Sequence, residues 1–338
     1  MVIPYRTRKR IQRIATTTLI VLLAALLIWG CWLLWLHKHI RYTTGGAVLD
    51  FEMGEIAQDG VLALPPSNQE PISIYYNEGD NAVNTSKELS QLVGYYITGK
   101  DLQDVAAVKS QLQTLDKDTP IMIDLKNIYG GFFYSSTVST VRSDSVDAEA
   151  VDELIKYLDA SGAYIIARIP ALRDKAYGLE YDEDGVFHSS RGYLWVDDEG
   201  CYWLNPTREG TLNYLTRTIN ELKSLGFDEV VLTDFAFPET DNIYFDGDQV
   251  AAITSAAKTL VTTCSADYFA VSFVGAPDFV LPEGRTRLYA EAAAPADVQK
   301  IAQQTGLEDP VARLVFLTEN HDTRFNDYSV LRPIMAAH

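Results

Sequence analysis

Cysteine is scarce in this sequence of 338 residues, which excludes a fold held together by a framework of disulfide bonds. There are three cysteines, and Cys31 lies within a long apolar stretch. The other two, Cys201 and Cys264, allow one disulfide bridge or none. The body of the chain must therefore be stabilised by a hydrophobic core, which a chain of this length can bury.

Histidine is also scarce, and the signatures of several enzyme classes are missing. The five histidines include no pair at metal-ligand spacing on one helix. The body of the chain contains neither a Gly-x-Ser-x-Gly motif nor a glycine-rich loop of the kind that holds phosphates. A serine esterase and a nucleotide-binding protein thus lack their signatures, and we predict no bound metal and no cofactor.

Basic residues are few outside the first 41 positions. The whole chain has 28 Lys and Arg against 46 Asp and Glu. Residues 1–41 hold seven of the basic residues and no acidic one, so the remaining 297 residues carry 21 basic and 46 acidic side chains, a net charge of −25. Because such a body repels phosphate backbones, we predict no nucleic acid partner.

One long stretch, residues 14–36, has no charged side chain. As a helix rising about 1.5 Å per residue it is long enough to cross a hydrocarbon core of about 30 Å. A cleaved secretory signal has a shorter apolar region and small residues at its cleavage site, whereas this stretch has Trp29, Trp32 and Trp35. We therefore predict a transmembrane signal anchor.

The charges on either side of this stretch predict its orientation. Residues 1–13 carry five basic side chains, whereas only Lys38 and Arg41 follow the apolar stretch closely. Because positive residues are retained on the cytoplasmic side, we predict a single-pass cell-membrane protein with residues 1–13 as a cytoplasmic tail. Residues 37–91, where Gly and Pro interrupt short apolar runs, are predicted to be a stalk outside the cytoplasm.

From residue 92 onward, short apolar runs alternate with amphipathic helical stretches, a pattern typical of parallel strands joined by crossover helices. Three of the predicted helices are followed by a glycine that can act as a C-terminal cap: Gly162, Gly226 and Gly306. Seven strands are predicted, at 94–98, 120–125, 163–169, 229–235, 268–274, 287–292 and 312–318. The pattern favours an α/β fold in which residues 92–338 form a (β/α)8-type TIM barrel. The eighth unit lies in the final 15 residues, lies in the stalk, or is absent.

Charged residues close several of these predicted strands, at the end of a barrel where active sites lie. Alternation along the second strand places Asp124 and Lys126 on one face. The charged residues that end or follow the other strands are Arg168, Asp234, Glu291 and Glu319. A single acid at a strand end often only caps the next helix. Several acids around one pocket indicate glycoside hydrolysis, which needs paired carboxylates.

The third connection between a strand and a helix, residues 170–208, is unusually long and rich in aromatic residues. Loops of this length are typically functional or disordered, and the aromatic content argues against disorder. Trp195 and Trp203 offer flat apolar faces on which sugar rings stack. The alternative is that these rings pack on one another as a lid or a small hairpin.

The stretch at 193–238, YLWVDDEGCYWLNPTREGTLNYLTRTINELKSLGFDEVVLTDFAFP, resembles the "putative glycosyl hydrolase domain" family of bacterial cell-surface proteins. That family shows a tryptophan and Asn-Pro region, a helix, and a Gly-Phe-Asp-Glu strand that ends in an acid and Phe-Pro. The resemblance extends to GYYIT, MIDLKN and ARIPALRDKAYG, and covers roughly residues 92–325. It implies a TIM barrel related to glycoside hydrolases, and its Asn-Pro region adds Asn205 to the substrate-binding candidates.

One departure from the family pattern concerns the acid that follows the fourth strand. The family commonly reads Phe-Asp-Tyr-Val-Arg-Phe-Pro, and an ungapped match places Thr233 on its Asp and Ala236 on its Arg. The nearest acid, Asp234, comes one residue later, and neighbouring strand residues point to opposite faces. Asp234 therefore points away from the pocket, unless the strand bends or bulges at Thr233. The sequence leaves both possibilities open.

We predict a membrane-anchored, extracytoplasmic glycoside-hydrolase-like protein that acts on a cell-envelope or environmental polysaccharide. Asp234 is predicted to be the nucleophile or base, and Glu291 or Glu319 the acid. The predicted substrate-binding residues are Asp124, Lys126, Arg168, Trp195, Trp203, Asn205 and Asp322.

Two other functions fit parts of the pattern. The displaced acid and the missing Arg favour a catalytically inactive barrel that binds glycan or an envelope protein as a surface scaffold. A metal-dependent polysaccharide deacetylase would use Asp124, His321 and Asp322, although one histidine among scattered acids is weak support for a metal site.

Overall fold

The computed structural model describes residues 89–190, 192–275 and 279–335, together with two short strands near the N-terminus. The chain divides into two compact units, Met1–Asn77 and Glu78–His338. In the first unit, β1 (Ile40–Thr43) and β2 (Gly46–Leu49) pair in antiparallel orientation. These two strands lie within the predicted stalk.

The predicted transmembrane stretch at 14–36 and the basic tail at 1–13 lie outside the described residues. Among the helices that the structure does describe, none combines the length and the apolar character needed to cross a membrane. Membrane anchoring therefore stays a prediction from the sequence.

The second unit is built around a closed barrel of eight parallel strands. Around the barrel, the order is β3, β4, β5, β7, β9, β10, β11 and β12, and β12 pairs with β3 to close it. The short strands β6 and β8 form a separate antiparallel pair. In chain order, the strands are β3 (Val93–Ile97), β4 (Ile121–Asp124), β5 (Ile165–Pro170), β6 (Phe187–His188), β7 (Glu229–Thr233), β8 (Ile243–Tyr244), β9 (Ala270–Val274), β10 (Leu288–Glu291), β11 (Leu314–Leu317) and β12 (Ser329–Pro333).

Helices connect most of the barrel strands, and together they give the predicted TIM-barrel architecture. The helices are α1 (Val105–Leu112), α2 (Ala148–Ser161), α3 (Lys175–Glu180), α4 (Glu209–Ser224), α5 (Gln249–Cys264), α6 (Val298–Gln304) and α7 (Pro310–Arg313). The seven strands predicted from the sequence are all present, and the eighth, β12, lies within the final 15 residues. It was not visible in the sequence because only the 3-10 helix Thr323–Asp327 separates it from β11.

Helix α2 illustrates how the sequence determines the helical layer. The Asp147 carboxylate accepts hydrogen bonds from the first backbone N–H groups of the helix. Gly162 ends the helix with φ 79°, a left-handed conformation that glycine adopts without strain. The side chains at i, i+3, i+4 and i+7 face the barrel and are buried: Val151, Leu154, Ile155 and Leu158. Gly226 and Gly306 also have positive φ, as predicted.

A buried ion pair lies at the amino ends of the barrel strands. Glu229, the first residue of β7, is fully buried and pairs with the guanidinium of Arg287. The Tyr164 and Tyr289 hydroxyls also donate to the Glu229 carboxylate, each at 3.0 Å. The two remaining cysteines, Cys201 and Cys264, are buried and free, so the domain is held by packing and polar contacts of this kind.

Candidate active site

A cavity of about 720 Å³ opens at the carboxyl ends of the barrel strands. We call it the mouth cavity. Its wall is built from residues that end or directly follow six strands, namely β3, β4, β5, β7, β10 and β11. It brings together six of the residues predicted from the sequence, which are Asp124, Lys126, Arg168, Asp234, Glu291 and Glu319.

Asp234 faces the mouth cavity because the backbone turns sharply where β7 ends. Its φ is 49°, in the left-handed region that residues other than glycine seldom adopt. This turn breaks the strand alternation, so Thr233 and Asp234 both line the cavity. The sequence did not decide whether the strand bends at Thr233. The structure has this bend, and Asp234, although shifted by one residue from the family pattern, still reaches the pocket.

Backbone strain is concentrated at this mouth. Within the described residues, the non-glycine positions with positive φ are Asp234 and Ala292, and both line the mouth cavity. Each such conformation costs on the order of 1–3 kcal/mol, and it persists where the surrounding structure enforces it, often at functional sites.

Asp234 is the acid whose environment favours the protonated form. Its partial burial raises the pKa of the Asp234 carboxyl above its ordinary value. A hydrogen bond of 3.0 Å from the Thr233 hydroxyl to Oδ2, and the charges of Arg173, Lys126 and Arg168, offset this increase only in part. A carboxyl group that retains its proton can act as a proton donor.

Arg168 holds two of the other acids in place. Its Nε and Nη2 donate to the two carboxylate oxygens of Asp124 at 2.5 and 3.1 Å, and its Nη1 donates to Glu291 at 2.9 Å. The backbone N–H of Gly99 also donates to Asp124, at 3.1 Å. Arg168 thus binds carboxylate oxygens of both Asp124 and Glu291 and fixes the positions of these side chains. They are well placed to orient a ligand.

Glu319 lies two residues after the end of β11 and, unlike Asp124 and Glu291, is bound by no guanidinium of the described residues. It is exposed, and it makes no hydrogen bond or ion pair with the residues that the structure describes. Burial and then the charge of Glu319 raise the pKa of Tyr96, which lines the same cavity. Tyr96 is not among the site residues predicted from the sequence. Alternation along β3 places it on the face opposite Ile97, which could have suggested an inward-facing side chain.

Lys126 belongs to the wall but its ammonium group is already bound. Nζ lies 2.6 Å from Asp174 Oδ2 and donates to the Pro170 carbonyl at 3.1 Å. Both charged side chains are buried, and the Tyr214 ring lies 5.2 Å from Nζ. Lys126 therefore links the segment after β4 to the segment after β5. Its ammonium group is not free to bind a sugar hydroxyl.

Trp195 and Trp203 lie outside the mouth cavity. They line a second cavity of about 430 Å³, which Arg173 and the segment after Asp234 also line. The long connection at 170–208 is thus partly a small hairpin, as the alternative predicted. Its strand β6 pairs with β8, and Val196 is bridged to Tyr202.

Two of the predicted substrate-binding residues have local structural contacts instead. The Asn205 side chain accepts hydrogen bonds from the backbone and the hydroxyl of Thr207, in the turn before α4. Asp322 accepts from the side chain of Arg324 at 2.8 and 2.9 Å. Neither residue lines the mouth cavity or the second cavity.

The acids proposed for a metal-dependent deacetylase do not form a ligand set. Arg168 binds Asp124, and Arg324 binds Asp322. Throughout the described part of the chain, no three His, Cys, Asp or Glu side chains are grouped closely enough to hold a metal ion. The geometry of these residues therefore does not fit that function.

A family model described as "Putative glycosyl hydrolase domain" matches residues 94–266. A comparison with curated proteins finds no match to the sequence. Among solved structures, a hypothetical protein from Ruminiclostridium thermocellum shares 18% identity, with 53% of this chain and 96% of that chain covered and a TM-score of 0.46.

Two larger enzymes are similar to this chain in structure. A GH36 α-galactosidase from Geobacillus stearothermophilus, in complex with raffinose, is 12% identical with a TM-score of 0.51, covering 73% of this chain and 39% of that chain. An α-galactosidase from Thermus thermophilus is 12% identical with a TM-score of 0.49, covering 74% and 58%. This chain spans less than two thirds of the length of these two enzymes. The first of these likenesses supports the barrel fold.

Proposed function

We propose that this chain, which belongs to the family described as "Putative glycosyl hydrolase domain", hydrolyses glycosidic bonds in a cell-envelope or environmental polysaccharide. The observation that carries the proposal is the mouth cavity, which Asp234, Glu291 and Glu319 reach from three different strands. Glycoside hydrolysis requires a proton donor and a carboxylate on either side of the scissile bond. The proposed chemistry uses only side chains and water, with glycan as the binding partner.

The electrostatics of the cavity favour Asp234 as the proton donor. Its raised pKa suits transfer of a proton to the glycosidic oxygen as the bond to the anomeric carbon breaks. Glu319 would be the second carboxyl group of the pair, which attacks the anomeric carbon or activates a water molecule. The sequence suggested the reverse distribution of roles. Asp124, Arg168 and Glu291 would then orient sugar hydroxyls.

The proposal is tested with the purified full chain and a panel of envelope polysaccharides. We expect reducing ends to be released from at least one of them. Loss of that release in Asp234→Asn and in Glu319→Gln would assign both carboxyl groups to the reaction. Unchanged release in both variants would contradict the assignment.

We expect Thr233→Val to move the high-pH limb of the kcat/KM profile to higher pH. On this limb, activity falls as Asp234 loses the proton that it must donate. The Thr233 hydroxyl stabilises the ionised form through its hydrogen bond to Oδ2, so removing it raises the pKa of Asp234 further. The matched control is Thr318→Val, because the Thr318 hydroxyl accepts from the Asn320 backbone. A limb that stays in place or moves to lower pH would contradict the role of Asp234.

One observation favours a second candidate function. Arg168 pairs with both Asp124 and Glu291, which leaves fewer acids of the mouth cavity available for chemistry. A scaffold barrel would bind glycan or an envelope protein at this cavity without cleaving it. Saturable glycan binding by the purified chain, with no release of reducing ends from any polysaccharide that binds, would select this function.

We also propose that residues 14–36 anchor the chain in the cell membrane, with residues 1–13 in the cytoplasm and the barrel outside. The uncharged stretch and the five basic residues before it support this orientation. In intact cells with a permeable wall, externally added protease is expected to digest the barrel. Its complete protection until the cells are lysed would contradict the orientation.

A further inference from the structure

The second cavity is bordered by a hairpin at 195–203, which we call the indole hairpin. Asp197 holds its turn, because its Oδ1 accepts from the backbone N–H groups of Glu199 and Cys201 at 3.0 and 2.9 Å. Its Oδ2 accepts from Arg173 at 2.6 Å and from the Trp203 indole at 3.0 Å. The hairpin is thus ordered before a ligand arrives, which reduces the entropy lost on binding.

The walls of this cavity are aromatic. Trp195 and Trp203 stand at the two ends of the indole hairpin, and Phe237 joins them from the segment after β7. The Arg173 guanidinium lies over the Trp203 ring, 5.7 Å from its centroid, and Phe237 packs on Phe245 at 4.6 Å. Trp195 has no such contact with a guanidinium or another ring among the described residues, and its flat apolar surface in a cavity of about 430 Å³ suits the C–H face of a sugar ring.

The charge of the second cavity is strongly negative. Four carboxyl groups and the guanidinium of Arg173 line it, which gives a net charge of 1 − 4 = −3 when all are ionised. Asp197 and Glu199 pair with Arg173 at 2.6 and 3.4 Å. Asp198 and Glu239 are exposed and form no hydrogen bond or ion pair with the described residues. Together with the acidic body, these charges attract cationic ligands and repel anionic ones.

The second cavity lies next to the mouth cavity. Ala236, in its wall, is two residues after Asp234. Arg173, also in its wall, is close enough for its charge to lower the pKa of Asp234. A linear glycan with one ring in the mouth cavity would therefore reach the indole hairpin with a neighbouring ring.

We propose that the second cavity binds a sugar ring that carries a protonated amine, and that the substrate is accordingly a polysaccharide rich in unacetylated amino sugars. This inference rests on the proposed function, because it assigns the mouth cavity to the neighbouring ring. Trp195 binds the apolar face of the ring, and Asp198 and Glu239 bind its ammonium group.

The test measures binding with the full chain carrying Asp234→Asn, so that turnover is too slow to consume the probe during the measurement. The probes are β-linked hexasaccharides of glucosamine, of N-acetylglucosamine and of galacturonic acid, at a pH where the amine is protonated. Glucosamine hexasaccharide is expected to bind at least about 10-fold more tightly than the acetylated one, and galacturonic acid hexasaccharide the least. Adding Asp198→Asn and Glu239→Gln should remove most of that preference and leave the affinity for the acetylated probe unchanged.

The control replaces Asp116 and Asp118 by asparagine, because these exposed acids lie before β4, at the other end of the barrel. It changes the net charge by the same amount and should leave the preference intact. Trp195→Ala should weaken binding of both glucosamine-based probes.

Equal affinities for the amine and acetylated probes, or an equal effect of the control pair, would overturn the inference. The wild-type chain could instead cleave a neutral glycan at a rate that Asp198→Asn, Glu239→Gln and Trp195→Ala do not change. That result would overturn the inference and leave the proposed function standing. Preferential amine binding without cleavage would instead contradict only the proposed function.

Discussion

Asp234→Asn is expected to lower kcat/KM for glycan hydrolysis by about 10²–10⁴-fold, the range that a positioned acid or base contributes. Asparagine has the same size and can accept the hydrogen bond from Thr233, but it has no acidic proton to donate. Asparagine also tolerates the left-handed conformation that this position requires. The variant should therefore fold and bind glycan normally, so that the loss is in the chemical step.

The measurement is the rate of reducing-end release, together with glycan affinity and the thermal midpoint of unfolding. Glu308→Gln serves as the matched control, since Glu308 is exposed and lies in neither cavity. Activity within a few-fold of wild type in Asp234→Asn would remove Asp234 from the mechanism. An equal loss in both variants would show that the effect is not specific to the mouth cavity.

Arg287→Met is expected to cost about 3–5 kcal/mol in the free energy of unfolding, the range for breaking a buried ion pair from one side. It would leave the Glu229 carboxylate charged and buried, with only tyrosine hydroxyls as donors. It would also remove the donors to the carbonyl oxygens of Ser90 and Ala312. A loss of this size is a large part of the stability of a typical domain.

Chemical denaturation of the purified chain measures this cost. Adding Glu229→Leu to Arg287→Met should recover much of the loss, because no buried charge then lacks its partner. Arg324→Met is the control, because its ion pair with Asp322 lies at the surface, and it should barely change the midpoint. If Arg287→Met were no more destabilising than Arg324→Met, the buried pair would not contribute to the stability of the barrel.

The electrostatic setting of each acid depends on neighbours that are distant in the sequence. Asp124 and Glu291 were selected from their strand ends, but their shared partner Arg168 lies 44 and 123 residues away from them. Lys126 lines the cavity, yet Asp174 already binds its ammonium group. Side-chain pairing across strands follows from three-dimensional packing, and a strand pattern contains no information about it.

The sequence by itself determined the barrel and the gathering of its charged residues. Apolar runs alternating with helical stripes specify parallel strands with crossover helices, and in a closed parallel barrel all carboxyl ends meet at one mouth. Asp124, Arg168, Glu291 and Glu319 converge for that reason, whereas Asp234 also needs the turn at the end of β7.

Only the tertiary structure decided the surroundings of each of these acids. Periodicity assigns a side chain to a face, but it does not report the φ of a single residue at a strand end. The left-handed turn at Asp234 returns a displaced carboxyl to the cavity. Burial then raises the pKa of that carboxyl, whereas Arg168 holds the carboxylates of Asp124 and Glu291 in ion pairs.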